Sequence, residues 1–207
     1  MINNIKGFKM FKKILKLSII SVFFMACSND KIDFNLFSNN TNYSQDNAKK
    51  TNLDEKSYKE IAHLFKDNTN IKSDKKNILL IFSANNCIYC DRLKEEILKD
   101  TTLQKQIKDD YSSYYINIDY DKIHTFTKNH TSDLSTSELA SLYNINATPT
   151  IVILNSKSKT LLNYAGFISA KKLGITMDFL NKPQYQNLNE AQLAKELLQF
   201  YKDNKIY

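Results

Sequence analysis

Cys87 and Cys90 are the residues of this chain whose types and spacing most clearly allow chemistry. Two thiols three positions apart can close a disulfide. A thiol at a helix start also ionises readily, because unpaired N–H groups and the helix dipole stabilise the thiolate. In such settings thiol pKa values fall from about 8.5 to roughly 3.5–7.5. We therefore predict that Cys87 exchanges with a substrate sulfur and that Cys90, one turn further in, resolves the mixed disulfide.

Three other interpretations compete with this redox interpretation: a static disulfide, two buried free thiols, and half of a metal site. A static disulfide across so short a loop contributes little through chain entropy. A tetrahedral zinc site needs further ligands, and the sequence shows no second cysteine pair and no nearby histidine pair. We expect no metal and no other cofactor.

The remaining polar candidates are expected to have structural roles. The histidines show no ligand spacing, so we place His63 on a helix surface and His124 and His130 in a loop. Asn85 and Asn86 are expected to cap the helix that follows them. A solvated helix face is expected for four charged residues: Asp91, Arg92, Glu95 and Glu96.

The two cysteines lie between a predicted strand and a predicted helix. Residues 78–82 form a continuous apolar run, which is typical of a strand buried on both faces. After Cys87, three residues share one helical face: Cys90, Leu93 and Ile97. Further strands are predicted at 114–118, 150–154 and 160–165. Further helices are predicted around 58–65, 136–143, 173–180 and 193–200.

The order of these elements predicts an α/β fold. The strands at 78–82, 114–118 and 150–154 are separated by helical segments, so we expect them to be parallel with right-handed connections. The short polar turn at 155–159 predicts an antiparallel final pair. We expect a small, mixed, mainly parallel sheet flanked by helices, with an extra helix at each end. The cysteines then lie at the carboxyl end of a central strand, where such sheets carry their sites.

The positive charge of the chain is concentrated at its N-terminus. The net charge is +7 over 207 residues, but residues 1–26 contain five lysines and no acidic residue, and without them it is +2. The lysines precede an apolar run at 17–26 that is too short to span a bilayer. The pattern predicts a signal peptide at 1–26, starting at Met1 or Met10. The net positive charge of the remaining chain therefore gives little support to nucleic-acid binding.

This predicted signal peptide ends at a third cysteine. Phe24-Met25-Ala26-Cys27 resembles a bacterial lipoprotein signal, which implies lipidation of Cys27. Ala26 fits the small residue of that signal, whereas Phe24 stands where Leu is usual. An ordinary secretory signal and an uncleaved anchor are the alternatives. All three place the domain in a periplasmic or other extracytoplasmic compartment, where disulfides persist.

A polar stretch follows the predicted lipidation site. Residues 27–52 are rich in Asn, Ser, Thr and Lys, and they lack the apolar periodicity needed to bury a core. We predict a flexible tether with a mean span of about 25–30 Å. Residues 53–207 then form the folded domain.

The strand, the Cys-x-x-Cys pair and the helix, followed later by Ala147-Thr148-Pro149-Thr150, resemble the thioredoxin fold. The resemblance covers residues 77–182. It implies that Pro149 follows a cis peptide bond and faces the cysteines, and that the backbone of Thr148 pairs with bound substrate like an added strand. It also implies that Ile88 and Tyr89 contact the substrate.

This sequence differs from cytosolic thioredoxins at two places near the cysteines. Ile81 and Ser83 occupy the positions of the buried Asp and the Trp of cytosolic thioredoxins, so the proton-transfer role of that Asp is left unassigned. Ile88-Tyr89 replaces their Gly-Pro. Tyr before the second cysteine and Thr before the proline are similar to the periplasmic disulfide isomerases and reductases. The stretch from Thr136 to Thr150, followed by Gly166-Phe167 and a helix, resembles the SoxW-type periplasmic thioredoxins, and residues 120–135 look like the insertion that those proteins carry.

Together these features predict an exported, membrane-anchored thiol:disulfide oxidoreductase. We expect it to reduce or isomerise disulfides in other exported proteins, with a membrane thiol donor re-reducing it. One alternative is an oxidase that forms disulfides at the same site. The other is a non-enzymatic thioredoxin-fold lipoprotein that delivers a metal or binds a partner.

Overall fold

Residues 53–127 and 130–206 are described by the structure, a computed structural model, and they alternate between strands and helices. The strands within these residues are β1 Asn70–Ile71, β2 Asn77–Ser83, β3 Tyr111–Asn117, β4 Ile123–Thr127, β5 Thr131–Ser135, β6 Thr150–Leu154 and β7 Thr160–Ala165. The α-helices are α1 Ile88–Lys99, α2 Thr101–Lys105, α3 Thr136–Leu142, α4 Ala170–Leu180 and α5 Glu190–Asp203. The predicted signal peptide, Cys27 and the tether lie outside the described residues.

A four-stranded sheet in the order β3-β2-β6-β7 forms the centre of this part of the chain. Every residue of β2 is buried, as expected for an apolar strand covered on both faces. Strand β3 pairs with β2 in parallel. Strand β6 is antiparallel to both β2 and β7. The sheet is therefore mixed, and the antiparallel pairing predicted for the last two strands is confirmed.

The direction of β6 contradicts the prediction that the first three central strands are parallel. Thr150, the first residue of β6, pairs with Phe82 near the end of β2, so the connection from β3 starts and ends at the same edge of the sheet. The helix in this connection, α3, has seven residues and rises only about 10 Å. This short helix does not return the chain to the opposite edge, about 17 Å away along a strand, so β6 starts where β3 ends and runs in the opposite direction.

Two strands of a second, three-stranded sheet in the order β1-β4-β5 lie in the predicted insertion at 120–135, and the third, β1, comes before β2 in the chain. Strands β4 and β5 form an antiparallel hairpin, and the two-residue strand β1 adds to β4 in parallel. The sequence did not predict these strands, because they are short and carry few apolar residues. Ile71 and Phe126 from this sheet pack with Phe82 and Leu139 in one of the two apolar clusters.

The helices cover the central sheet much as predicted. Cys90, Leu93 and Ile97 form the buried face of α1. The larger apolar cluster combines α1 with α4, α5 and one face of the central sheet. In α5, the C-terminal helix, Leu193 and Leu197 are buried. No helix within the described ranges is long and apolar enough to cross a membrane.

The N-terminal helical segment is shorter than predicted. Residues 53–56 are helical, and turns then lead to a 3₁₀ turn at Ala62–Leu64. Ser57-x-x-Glu60 is a sequence pattern typical of a helix N-cap. The Ser57 hydroxyl instead donates to the carbonyl oxygen of Asp54 at 2.7 Å. Tyr58 and Ile61 are nevertheless buried in the larger apolar cluster, so the predicted apolar face is used.

Candidate active site

The two cysteines lie at the junction between β2 and α1, where the sequence placed them. Cys87 is the N-cap residue of α1, and its Sγ accepts a hydrogen bond from the backbone N–H of Cys90 at 3.2 Å. The two sulfurs form a disulfide. Cys90 is only 1% exposed, whereas Cys87 is partly exposed. A substrate can therefore reach Cys87 more easily than Cys90.

The loop between Leu142 and β6 brings Thr148 and Pro149 to this disulfide. The Thr148–Pro149 peptide bond is cis. The carbonyl oxygen of Thr148 lies 3.4 Å from Cys87 Sγ, and the Thr148 hydroxyl donates to the same sulfur at 3.4 Å. A hydroxyl donor at this position stabilises a thiolate more than a thiol. Thr148, which is 61 residues after Cys87 in the sequence, is thus part of the same site.

Ile88 and Tyr89 are unusually exposed for their size. Their side chains are 75% and 55% exposed, respectively, directly after Cys87. Large apolar side chains left in water beside the partly exposed Cys87 sulfur provide a surface that a polypeptide could cover. The structure thus places these two residues on the rim of the site.

The loop before Cys87 is held by the end of β3. Asn117 donates from Nδ2 to Asn85 Oδ1 at 2.9 Å, and the backbone N–H of Asn85 donates to Asp119 Oδ2 at 2.6 Å. Asn86 takes a left-handed conformation with a φ of 54°. The sequence predicted that Asn85 and Asn86 cap the helix, but Cys87 itself is the cap. The two asparagines instead shape the turn that presents Cys87.

A buried ion pair lies behind this loop and was not predicted. Lys122 Nζ is 2.6 Å from Asp54 Oδ2, and the two side chains are 9% and 1% exposed. Asp54 also accepts from Asn68 Nδ2 at 2.8 Å and from the backbone N–H of Asn117 at 3.1 Å. The pair thus connects the N-terminal segment and the residue before β4 to the end of β3. Sequence periodicity carries no signal for such a long-range pair.

The position beneath α1 that carries an Asp in cytosolic thioredoxins is apolar here. Ile81 is fully buried and pairs across the sheet with Tyr115, which is also fully buried. Burial raises the pKa of the Tyr115 hydroxyl far above its usual value. Neither side chain is a base near neutral pH. The buried carboxylate in the described part of the chain is Asp54, and its hydrogen bonds go to the network behind the loop.

The histidines do not contact the cysteines. His124 lies buried on β4, not in a loop as predicted, with Nδ1 2.6 Å from the Asn68 carbonyl oxygen and Nε2 2.9 Å from Thr136 Oγ1. Burial lowers the pKa of His124, and the hydrogen bond to Asn68 opposes this shift. His63 and His130 are exposed. In residues 53–127 and 130–206, no group of three or more His, Cys, Asp and Glu side chains could hold a metal ion.

Known proteins resemble this chain in both sequence and fold. Residues 64–181 match the thioredoxin-like domain family. A thioredoxin-fold protein from Helicobacter pylori is 33% identical, with a TM-score of 0.69, and the alignment covers 73% of this chain and 98% of that one. No curated protein sequence matches the chain.

More distant structures share a smaller part. The first thioredoxin domain of mouse protein disulfide-isomerase A4 is 22% identical, with a TM-score of 0.40 and coverage of 56% of this chain and 71% of that one. Thioredoxin from Fasciola hepatica is 20% identical, with a TM-score of 0.38 and coverage of 52% and 83%. The family match spans more than half of the chain, and the central sheet and helices have the thioredoxin fold. The chain therefore belongs to the thioredoxin-like domain family.

Proposed function

We propose that this protein is an exported thiol:disulfide oxidoreductase that reduces or isomerises disulfides in other exported proteins. The observation that carries the proposal is the arrangement of the disulfide. Cys87 is partly exposed beside the cis Thr148–Pro149 bond, whereas Cys90 is buried. A purely structural disulfide does not require one accessible sulfur beside Thr148 and Pro149, which we call the substrate ledge.

The site favours Cys87 as the nucleophile of the reduced protein. The helix dipole of α1, the N–H of Cys90 and the Thr148 hydroxyl all direct positive charge at Cys87 Sγ. Each of these interactions stabilises the thiolate, which is the form that attacks a disulfide. The buried Cys90 lacks such exposure to solvent and keeps its proton longer.

Reduction then proceeds in two exchanges. The Cys87 thiolate attacks one sulfur of a substrate disulfide, forming a mixed disulfide, and the second substrate sulfur leaves as a thiolate that takes a proton from solvent. Cys90 then loses its proton and attacks Cys87 Sγ, releasing the first substrate sulfur as a thiolate. Two electrons have moved to the substrate, and the protein is left with the Cys87–Cys90 disulfide that the structure contains.

Isomerisation uses the same intermediate. When another thiolate of the substrate attacks the mixed disulfide before Cys90 does, a new substrate disulfide forms and Cys87 is released as a thiolate, with no net transfer of electrons. Reduction, by contrast, consumes the dithiol form of the protein. A membrane thiol donor must restore it, because an oxidising compartment does not.

Two measurements on the full-length protein test this proposal. Equilibration with glutathione buffers gives the redox potential. We expect a value of about −180 mV, which is typical of protein disulfide isomerase, or a more negative one. A strongly oxidising potential of about −120 mV, as in the oxidase DsbA, would contradict the reductase direction and favour the disulfide-forming alternative.

Trapping in cells tests the chemistry itself. Cys90→Ser should accumulate mixed disulfides with other exported proteins, and the matched control Cys87→Ser/Cys90→Ser should accumulate none. If Cys90→Ser also traps nothing, thiol exchange is refuted. Tight copper binding by the reduced protein would in that case support the metal-delivery alternative.

The proposed location is a membrane surface facing an extracytoplasmic compartment. It rests on the lysine-rich apolar N-terminus and on Cys27 after Ala26. Lipidation of Cys27 would anchor the chain, and the following 25 residues, 28–52, would let the domain turn. Cys27→Ser should move the protein to the soluble fraction. Unchanged membrane fractionation would contradict the anchor and leave the proposed chemistry intact.

A further inference from the structure

The single arginine of the chain lies beside the candidate active site. Of the 29 lysine and arginine residues, only Arg92 is an arginine. Its guanidinium carbon lies 4.1 Å from the ring centre of Phe167. Phe167 follows Gly166, whose N–H donates to the Pro149 carbonyl oxygen at 2.8 Å. Arg92 therefore flanks the ledge formed by Thr148 and Pro149, on the side where the β7–α4 loop meets α1.

Arg92 forms no ion pair with the carboxylates of its own helix, α1. Glu95 and Glu96 lie three and four positions later, which is the spacing at which helical ion pairs form. Glu95 instead pairs with Lys99 at 3.5 Å, and Glu96 accepts from the backbone N–H of Ala170 at 3.1 Å. The neighbouring Asp91 pairs with Lys94 at 3.0 Å.

The result is an exposed guanidinium without an ion-pair partner in residues 53–127 and 130–206. Stacking on the Phe167 ring restricts its position. The N–H groups at the edge of the guanidinium remain available, and their fork matches the two oxygens of a carboxylate. A lysine, with a compact ammonium group on a flexible stem, would provide neither the stacking plane nor the fork.

We propose that Arg92 binds a carboxylate of the substrate polypeptide, so that the site favours disulfides whose cysteine is flanked by Asp or Glu. This inference rests on the proposed oxidoreductase function and names its substrate class. The substrate strand lies on Thr148, with Arg92 on one flank and the exposed Ile88 and Tyr89 near the reactive sulfur. The acidic side chain of the substrate pairs with Arg92 while its cysteine sulfur exchanges with Cys87.

Two matched peptides test this inference on the pre-reduced full-length protein. They carry the same disulfide-linked reporter and differ only in a Glu or a Gln beside the cysteine. The measured quantity is the ratio of their second-order rate constants. For an exposed charge pair we expect the Glu peptide to react about two- to fivefold faster. High salt should reduce this ratio, because it screens exposed charges.

Variants then assign the preference to the arginine. Arg92→Leu should bring the ratio close to one, because it slows the Glu peptide more than the Gln peptide. Arg92→Lys keeps the charge but loses the fork, so it should retain only part of the preference. The control Lys202→Leu removes an exposed positive charge from α5 and should leave the ratio as it is.

Three outcomes would overturn the inference. A ratio that survives Arg92→Leu would show that another group reads the acidic residue. Equal slowing of both peptides by Arg92→Leu, together with a raised pKa of the Cys87 thiol, would show that Arg92 acts on the nucleophile and not on the substrate. Failure of the unmodified protein to react with either peptide would remove the proposed function and this inference together.

Discussion

Replacing Lys122 with methionine removes one partner of the buried ion pair behind the redox loop. Methionine retains most of the apolar stem but not the Nζ atom that lies 2.6 Å from Asp54 Oδ2. Asp54 then remains buried with two neutral donors, Asn68 Nδ2 at 2.8 Å and the backbone N–H of Asn117 at 3.1 Å. The perturbation therefore leaves a carboxylate charge in the protein interior without a counter-charge.

The expected cost follows from that unpaired charge. Removing one member of a buried ion pair typically destabilises a protein by about 3–5 kcal/mol. The two remaining donors to Asp54 place the expected loss at the lower end, about 3 kcal/mol. Adding Asp54→Asn removes the stranded charge. The Lys122→Met/Asp54→Asn double variant should therefore be more stable than Lys122→Met alone.

Urea unfolding of the oxidised protein measures this loss. With a urea dependence of about 2 kcal/mol/M, Lys122→Met should lower the unfolding midpoint by about 1.5 M. Lys105→Met is the matched control, because Lys105 and Asp109 form an exposed pair of similar length, 2.7 Å. Its midpoint should not change measurably. The reasoning is refuted if the two single variants shift the midpoint equally, or if the double variant is less stable than Lys122→Met.

Three further predictions concern the loop, the ledge and pH. Asn117→Ala removes the buried donor to Asn85 and should lower the free energy of unfolding by about 1–3 kcal/mol in urea titrations; an unchanged midpoint would contradict this role. Thr148→Val removes the hydroxyl donor to Cys87 and should raise the pKa of that thiol, measured by ultraviolet thiolate absorbance of the reduced protein; a lower pKa would argue against it. Because burial holds the pKa of His124 below 6.5, the unfolded chain binds its proton more tightly, so stability should be complete above pH 6.5 and decline as the pH falls toward the folded pKa. His124→Gln should flatten this decline, and an identical pH slope in the variant would refute the assignment.

Local patterns predicted the elements that carry the cysteines. The apolar run of β2 and the apolar face of α1 are properties of adjacent residues, because each depends only on the period of the backbone. The β6–β7 hairpin was predicted for the same reason, since a short polar turn constrains its two strands directly. The asymmetry between the cysteines followed as well, because the first turn of a helix exposes its cap and buries the residue one turn later.

Non-local contacts escaped prediction. The antiparallel direction of β6 depends on where a long connection returns to the sheet, and the hairpin of β4 and β5 is stabilised by packing on residues far away in the chain. That Pro149 faces the cysteines was expected only through resemblance to a family, and the contact of Thr148 with Cys87, 61 residues away in the chain, was not predicted. Arg92 was expected on a solvated face, and the structure distinguishes it from Lys94 and Lys99 by its stacking on Phe167 and by the ion pairs that those two lysines form.

The sequence by itself determined the thiol pair, the helix that begins at its first member and the buried strand before it. It could do so because helix periodicity, strand burial and the ease of ionising a cap residue are local properties. Only the tertiary structure decided which groups surround the two cysteines: the ledge at Thr148, the hydrogen bond from Asn117 to Asn85, the Asp54–Lys122 ion pair and the unpaired Arg92. Those contacts join residues distant in the chain, and their energies depend on burial and distance that exist only in the folded protein.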